Sequence, residues 1–304
     1  MDANKDVILH NLCSSIDQPY LFSEKECRLL ESYVQDVTNL GNTGFYKQHC
    51  VDRALLRTKY FFGERYTYGT QMAVKGLGME RLYPLGAIAP IPPWVYLHVI
   101  NPLIEANVIE KNFINSVVIN EYQAGGCIVS HIDPPHIFDR PIFSVSLFSE
   151  SALCFGCKFE YKPIRCTEPV LKLLLPRGIV TRLRGFAANE ITHCVRPEDT
   201  KFYRAVILLR RVLPTAPRLL QISSLLTDDT LNLIATNTLQ RQIARDKIPD
   251  INKDILKKAY ENYSKKKRAK RNNKQGGISK VVNTRKTYFA DNTIYLEKPF
   301  NLNN

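Results

Sequence analysis

Residues 116–133, SVVINEYQAGGCIVSHID, read as two short extended segments around a turn. β-Branched and aromatic residues dominate both halves, and Ala124-Gly125-Gly126 supplies the turn chemistry. Six further runs of the same kind follow: IFSVSLFS, ALCFGCKFEY, VLKLLLP, IVTRLRGF, ITHCV and FYRAVILLRRV. Such a series in about 100 residues suggests a sandwich or jelly roll rather than alternating α/β units. The expected fold class is mainly β with flanking helices, around a jelly-roll (double-stranded β-helix) core at about 114–213.

Strand periodicity assigns faces, because alternate side chains share one side. His131 and Asp133 therefore point the same way, as do Asn120 and Tyr122 on the preceding strand and Arg204 and Arg210 on the last one. His193 lies on the short run before that last strand. With six His and 29 acidic residues, about 0.6 His-x-acid matches arise by chance, so the tripeptide HID alone decides nothing. It could be a structural hydrogen-bonded pair. Joined to His193, it could instead be the two-His, one-carboxylate set of non-haem iron oxygenases, which leaves metal positions open for a 2-oxo acid and O2. Arg204 could then grip the far carboxylate. A zinc hydrolase could use the same three ligands but leaves Arg204 unexplained.

The remaining chain frames this core. FSEKECRLLESYVQDVTNLG reads as a helix, with a Ser23/Glu26 capping box, a Phe22–Cys27 staple and Gly41 as its stop. PPWVYLHVINPLIEANVI reads as a second, kinked or broken at Pro102. No apolar run reaches the ~20 residues that span a bilayer, and the first residues carry no signal-peptide pattern, so no membrane partner is expected. Eight scattered Cys, without zinc-finger spacing, suit a reducing intracellular setting. The net charge is +13, and six of those charges sit in KKKRAKR, Lys265 to Arg271. A polyanion is thus a plausible partner, and the tract a candidate nuclear-import or nucleic-acid tether. The expected organisation is an N-terminal extension with one helix (1–42), a catalytic domain (43–220) and a basic, partly disordered tail (221–304).

VINEYQAGGCIVSHIDPPHIFDRPIFSVSLFS, ALCFGCKFEYKPI, EITHCVRP and RAVILLR together resemble the AlkB family of Fe(II)/2-oxoglutarate dioxygenases, in particular the branch that demethylates N6-methyladenosine in RNA. VDRALLRTKYFFGERYTYG and ERLYPLG resemble that branch too, so the likeness runs from about Val51 to Leu220. Pro135 is a mild departure; the terminal segments offer little to compare. The resemblance implies that His131, Asp133 and His193 hold iron and that Arg204, with Asn120 and Tyr122, binds 2-oxoglutarate. It also implies a nucleotide lid at about 51–82, where Arg57, Lys59 and Tyr66 hold the methylated base and backbone, with Lys59 able to reach the co-substrate. Arg210 completes the Arg-x5-Arg pattern and joins the substrate-binding group. The implied products are formaldehyde, succinate and CO2.

Tyr60-Phe61-Phe62 reads as packing, and His136 as orienting the loop after the ligands. Cys157 and Cys194 are candidate disulfide partners, with free buried thiols as the alternative. The expected protein is a nuclear monomer acting on single-stranded RNA, with a cytoplasmic alternative. Another methylated base, a protein side chain, or a catalytically silent methyl-adenine reader remain open.

Overall fold

The computed structural model describes residues 3–72, 76, 78–161, 164–219, 287–290 and 293–296. Lys265 to Arg271 and most of the expected tail lie outside them. Of that tail, one antiparallel pair is described, residues Thr287–Ala290 with Thr293–Leu296. No described helix is long and apolar enough to cross a membrane.

Eight strands build the core. They are β4 (Ser116–Tyr122), β5 (Ile128–His131), β6 (Ile142–Leu147), β7 (Ser151–Phe155), β10 (Leu171–Leu175), β11 (Ile179–Leu183), β12 (His193–Val195) and β13 (Arg204–Arg210). Three precede them: β1 (Ile16–Leu21), β2 (Val51–Ala54) and β3 (Arg57–Phe62). A short ribbon, β8 (Phe159–Tyr161) with β9 (Ile164–Cys166), lies between β7 and β10.

The larger sheet has the order β1-β11-β6-β13-β4-β3-β2, and the smaller β10-β7-β12-β5. Every pairing within them is antiparallel. From β4 onward the chain passes between the two sheets, and one central cavity is lined from all eight core strands. That is the jelly roll expected from the strand-like runs.

The other face of the larger sheet carries the main apolar core. Val117, Ile119, Val145, Leu147, Val180, Ala205, Ile207 and Leu209 pack there against helix α2 (Glu24–Asn42) and the 93–105 helix. Cys27, Leu30, Val34 and Val37 recur on the buried side of α2, which begins with the expected capping box: Ser23 N donates to Glu26 Oε2 at 2.7 Å. Gly41 does not stop this helix. It lies within the last turn, where a Cβ would sit 2.3 Å from Tyr60 Cε1, so glycine is required by close packing.

Two further expectations change. Residues 1–42 hold two helices, not one: α1 (Ala3–Ser15) precedes α2, with β1 between them. β1 is an edge strand of the main sheet, paired with β11, and Leu12 of α1 packs on Phe155 and Leu183. This segment is therefore built into the core architecture. At Pro102 the helix is unbroken: α3 (Pro93–Val95) continues through a π-turn (Tyr96–Ile100) into α4 (Asn101–Glu105). Asn101 N donates to Tyr96 O across the widened turn, which accommodates the proline one residue later.

Burying Leu30 completely contributes about 1.5–3 kcal/mol before cavity effects. Leu30→Ala should lower unfolding free energy by about 2–5 kcal/mol, read from the urea midpoint. Leu29→Ala, at a side chain 40% exposed on the same helix, should stay within about 0.5 kcal/mol.

Candidate active site

β5 ends on His131 and β12 begins on His193, and the register sets them directly opposite one another. Their ring centroids are 4.6 Å apart. Asp133, two residues past His131, places Oδ2 3.9 Å from His193 Nε2. One donor atom from each of the three residues lies within 4.8 Å of the others. His131 Nδ1 is 2.8 Å from Val129 O; with Nδ1–H donating there, Nε2 keeps the lone pair.

Burial pushes the His131 imidazole below its usual range, with Asp133 opposing in part. Burial, then the neighbouring His131, lowers His193 to about 3. Both rings are thus neutral at neutral pH, the form that ligates metals. Burial alone would raise Asp133, but Arg210, the two imidazoles and Arg140 together hold it well below the ordinary carboxylate range. Two neutral imidazoles and one carboxylate converging on one point make the donor set that suits a divalent transition metal with positions left open.

Arg210 lies against Asp133. Its Nη1 donates to Asp133 Oδ1 at 2.8 Å, and its guanidinium lies 4.0 Å from the Phe138 ring centroid and 5.9 Å from that of Tyr66. It is buried, with its charge set against the Asp133 carboxylate. Arg140, for which the sequence suggested no role, donates from Nη2 to Asp133 O (2.7 Å) and Ala188 O (3.1 Å), and from Nη1 to Phe138 O (2.9 Å). It ties the loop after His131 to helix α5 (Gly185–Asn189). Nothing in one sequence marks an arginine that joins its own loop to a carbonyl 48 residues along the chain. His136 Nε2 lies 3.4 Å from both Glu80 Oε2 and Glu80 O, joining the same loop to the 51–82 segment.

Arg204 opens β13 across from Tyr122, and its neighbour in the row beyond is Arg57. One step inward, Val206, Asn120 and Lys59 form the next row. The register thus brings Arg57, Lys59, Asn120, Tyr122 and Arg204 onto one face. Arg204 is 1% exposed; Nη2 donates to Ser146 Oγ at 3.4 Å, while Nε and Nη1 have no partner. Burial lowers its pKa. Asn120 Oδ1 is also buried without a partner. Asn120, Tyr122, His131, Asp133, Ser144, His193 and Arg204 line the cavity.

Tyr66 stands edge-on to Phe138 with ring centroids 5.3 Å apart, and Lys59 Nζ lies 4.6 Å over the Tyr68 ring. Tyr60, Phe61 and Phe62 are buried, as expected of packing residues. No disulfide joins Cys157 to Cys194: both are buried thiols, within 4.8 Å of each other and of a third, Cys166.

No protein-family model matches the chain. It is 52% identical over 252 residues to the RNA demethylase ALKBH5 of Bos taurus, covering 83% of this chain and 61% of that protein. With the Xenopus laevis RNA demethylase ALKBH5 it shares 58% identity over 206 residues, 68% of this chain and 57% of the other. The AlkB resemblance is borne out. The RNA demethylase ALKBH9B of Arabidopsis thaliana is 28% identical over 191 residues, 60% of this chain and 36% of that protein. The chain thus spans about three fifths of the length of its ALKBH5 relatives.

In the AlkB-like site Arg210 is the foremost of the groups that keep the buried Asp133 anionic. Arg210→Met should therefore destabilise the metal-free protein by about 3–5 kcal/mol in urea. In an Asp133→Asn background the same change should matter less, because no carboxylate is left uncompensated.

Proposed function

We propose that the protein is an RNA demethylase that removes the methyl group of N6-methyladenosine in single-stranded RNA, using Fe(II), O2 and 2-oxoglutarate. The observation that carries this reading is a pairing within one cavity: a His-Asp-His donor set faces a buried guanidinium with two unpartnered nitrogens. An unpaired buried cation is unfavourable, and an anion that meets it with parallel hydrogen bonds relieves the cost. A dicarboxylate between metal and Arg204 answers both features. A silent RNA reader has no need of either.

The residues fit iron: His131, Asp133 and His193 would hold it, in the protonation states that ligation requires. When bound, Fe(II) with 2-oxoglutarate and O2 supplies the oxidising power that hydroxylates an N-methyl group, after which formaldehyde leaves. The protein's part is to bind and orient. Arg204 would grip the far carboxylate of 2-oxoglutarate, in a berth lined by Asn120 and Tyr122. Lys59, on the same face, is where the 51–82 segment meets that berth, and Arg57 and Tyr66 of that segment would bear on the base and backbone. The base must leave its stack to reach such an enclosed site, which is easiest in a single strand. The RNA demethylase names of the relatives support RNA as the polymer.

The test measures formaldehyde and succinate together, on a methylated single-stranded oligoribonucleotide and its unmodified twin. Both products should form only with the methylated strand at full rate, and His131→Ala should abolish both. Arg204→Ala should raise the 2-oxoglutarate concentration for half-maximal rate roughly 30-fold or more, since losing one member of a buried charged pair costs about 2–5 kcal/mol. Arg204→Lys should restore only part, because an ammonium cannot reproduce the planar fork. Succinate without methyl loss would reject the substrate, and neither product from iron-loaded protein would reject the oxygenase reading.

A further inference from the structure

We propose that Arg218 and Glu64 are positioning residues for the RNA: their ion pair fixes the stretch that carries Tyr66, and with it the surface that receives the methylated base. This inference rests on the demethylase reading, in which Tyr66 bears on the base and backbone.

Two short stretches of the 51–82 segment and its sequel, 65–67 and 81–83, lie antiparallel. Thr67 N donates to Arg81 O at 2.8 Å and Tyr83 N to Arg65 O at 2.9 Å, with Tyr66 bridged to Leu82. Alone, the second stretch would present an open edge of unpaired backbone groups. Residues 217–219, past β13, fill that edge in parallel. Leu82 N donates to Pro217 O and Leu219 N to Leu82 O, both at 2.8 Å. Leu82 is thus gripped on both sides, and it is fully buried with Phe138, Val212 and Ala216, a cluster on which Tyr66 packs.

Arg218 then ties the three stretches together. Its Nη1 donates to Glu64 Oε2 at 2.8 Å and to Tyr83 O at 3.0 Å, and its Nη2 to Glu64 Oε1 at 2.5 Å. The guanidinium therefore reaches from the outermost stretch, over the middle one, to the residue two before Tyr66. A paired planar contact of this kind sets direction as well as distance. Tyr66 in turn stands edge-on to Phe138, whose backbone is bridged to Val212. One strap, 212–219, holds Phe138 at its start and Leu82 near its end.

The pair is poorly placed to act as a general stabiliser. The Arg218 and Glu64 side chains are 30% and 17% exposed, so water reaches each when the other is removed. Its effect on RNA therefore separates from its effect on folding.

The experiment takes the full chain as wild type, Arg218→Met and Arg218→Lys through two titrations. One follows the demethylation rate against methylated single-stranded RNA, the other against 2-oxoglutarate. Arg218→Met should raise the RNA concentration for half-maximal rate about fivefold, while the 2-oxoglutarate titration and the urea midpoint stay in place. Arg218→Lys should recover part of the loss, because an ammonium keeps the charge but not the fork. In a Glu64→Gln background Arg218→Met should add little, since partners of one pair are not additive. Arg28→Met, which breaks an exposed pair with Glu24 on α2, should match wild type in both titrations. An Arg218→Met protein with the wild-type RNA titration would overturn the positioning role, and so would one in which both titrations and the urea midpoint shift together. Wild type that demethylates no RNA would overturn the demethylase reading, and this inference with it.

Discussion

The structure hangs on the position of β13, hydrogen-bonded on one side to β4 and on the other to β6. Alternate residues have opposite duties. Ala205, Ile207 and Leu209 enter the apolar core beneath α2, whereas Arg204, Val206 and Leu208 line the cavity. A slip of one residue would exchange the two sets, driving guanidinium groups into the core. Burial of the outer face therefore fixes the register. The register in turn sets Arg204 beside Tyr122 at one end of the strand and Arg210 beside Ser116 at the other. Two arginines six residues apart acquire different tasks from that one constraint.

Those tasks differ because their counter-charges differ. Arg210 meets Asp133 and the pair is closed; Arg204 has only a 3.4 Å bond to Ser146 and two nitrogens left over. With both imidazoles neutral, the cavity holds an excess of positive charge around Arg204. That excess suits an anionic ligand, consistent with an arginine whose one described hydrogen bond goes to Ser146 and not to an Asp or Glu.

Local chemistry was legible where it involved near neighbours. The strand-like runs, the capping box of α2 and the shared face of His131 and Asp133 all follow from spacing a few residues long. What was not legible depends on distant partners. IDQPYL, with a central proline, gave no strand signal, yet β1 forms because β11 offers an edge and Leu12 has an apolar bed. Gly41 resembled a helix stop because its true reason, the Tyr60 ring, lies on another element. Arg210 could be recognised as a charge but not as the partner of Asp133, 77 residues away, nor Arg140 as the tie to Ala188, 48 residues away. Cys166 gave no hint of joining Cys157 and Cys194, because the ribbon that carries it is too short to mark in sequence.

β12 concentrates the consequences. It has three residues, all buried, and takes its orientation entirely from ladder bonds to β5 and β7. Alternation sends His193 to the cavity and Cys194 to the thiol cluster behind it. A strand this short has little stiffness of its own, so whatever grips Cys194 also limits how far His193 can move. The ligand geometry of the AlkB-like site is thereby supported from both faces of one strand: by Asp133 and His131 in front, and by the packed Cys157 and Cys166 side chains behind.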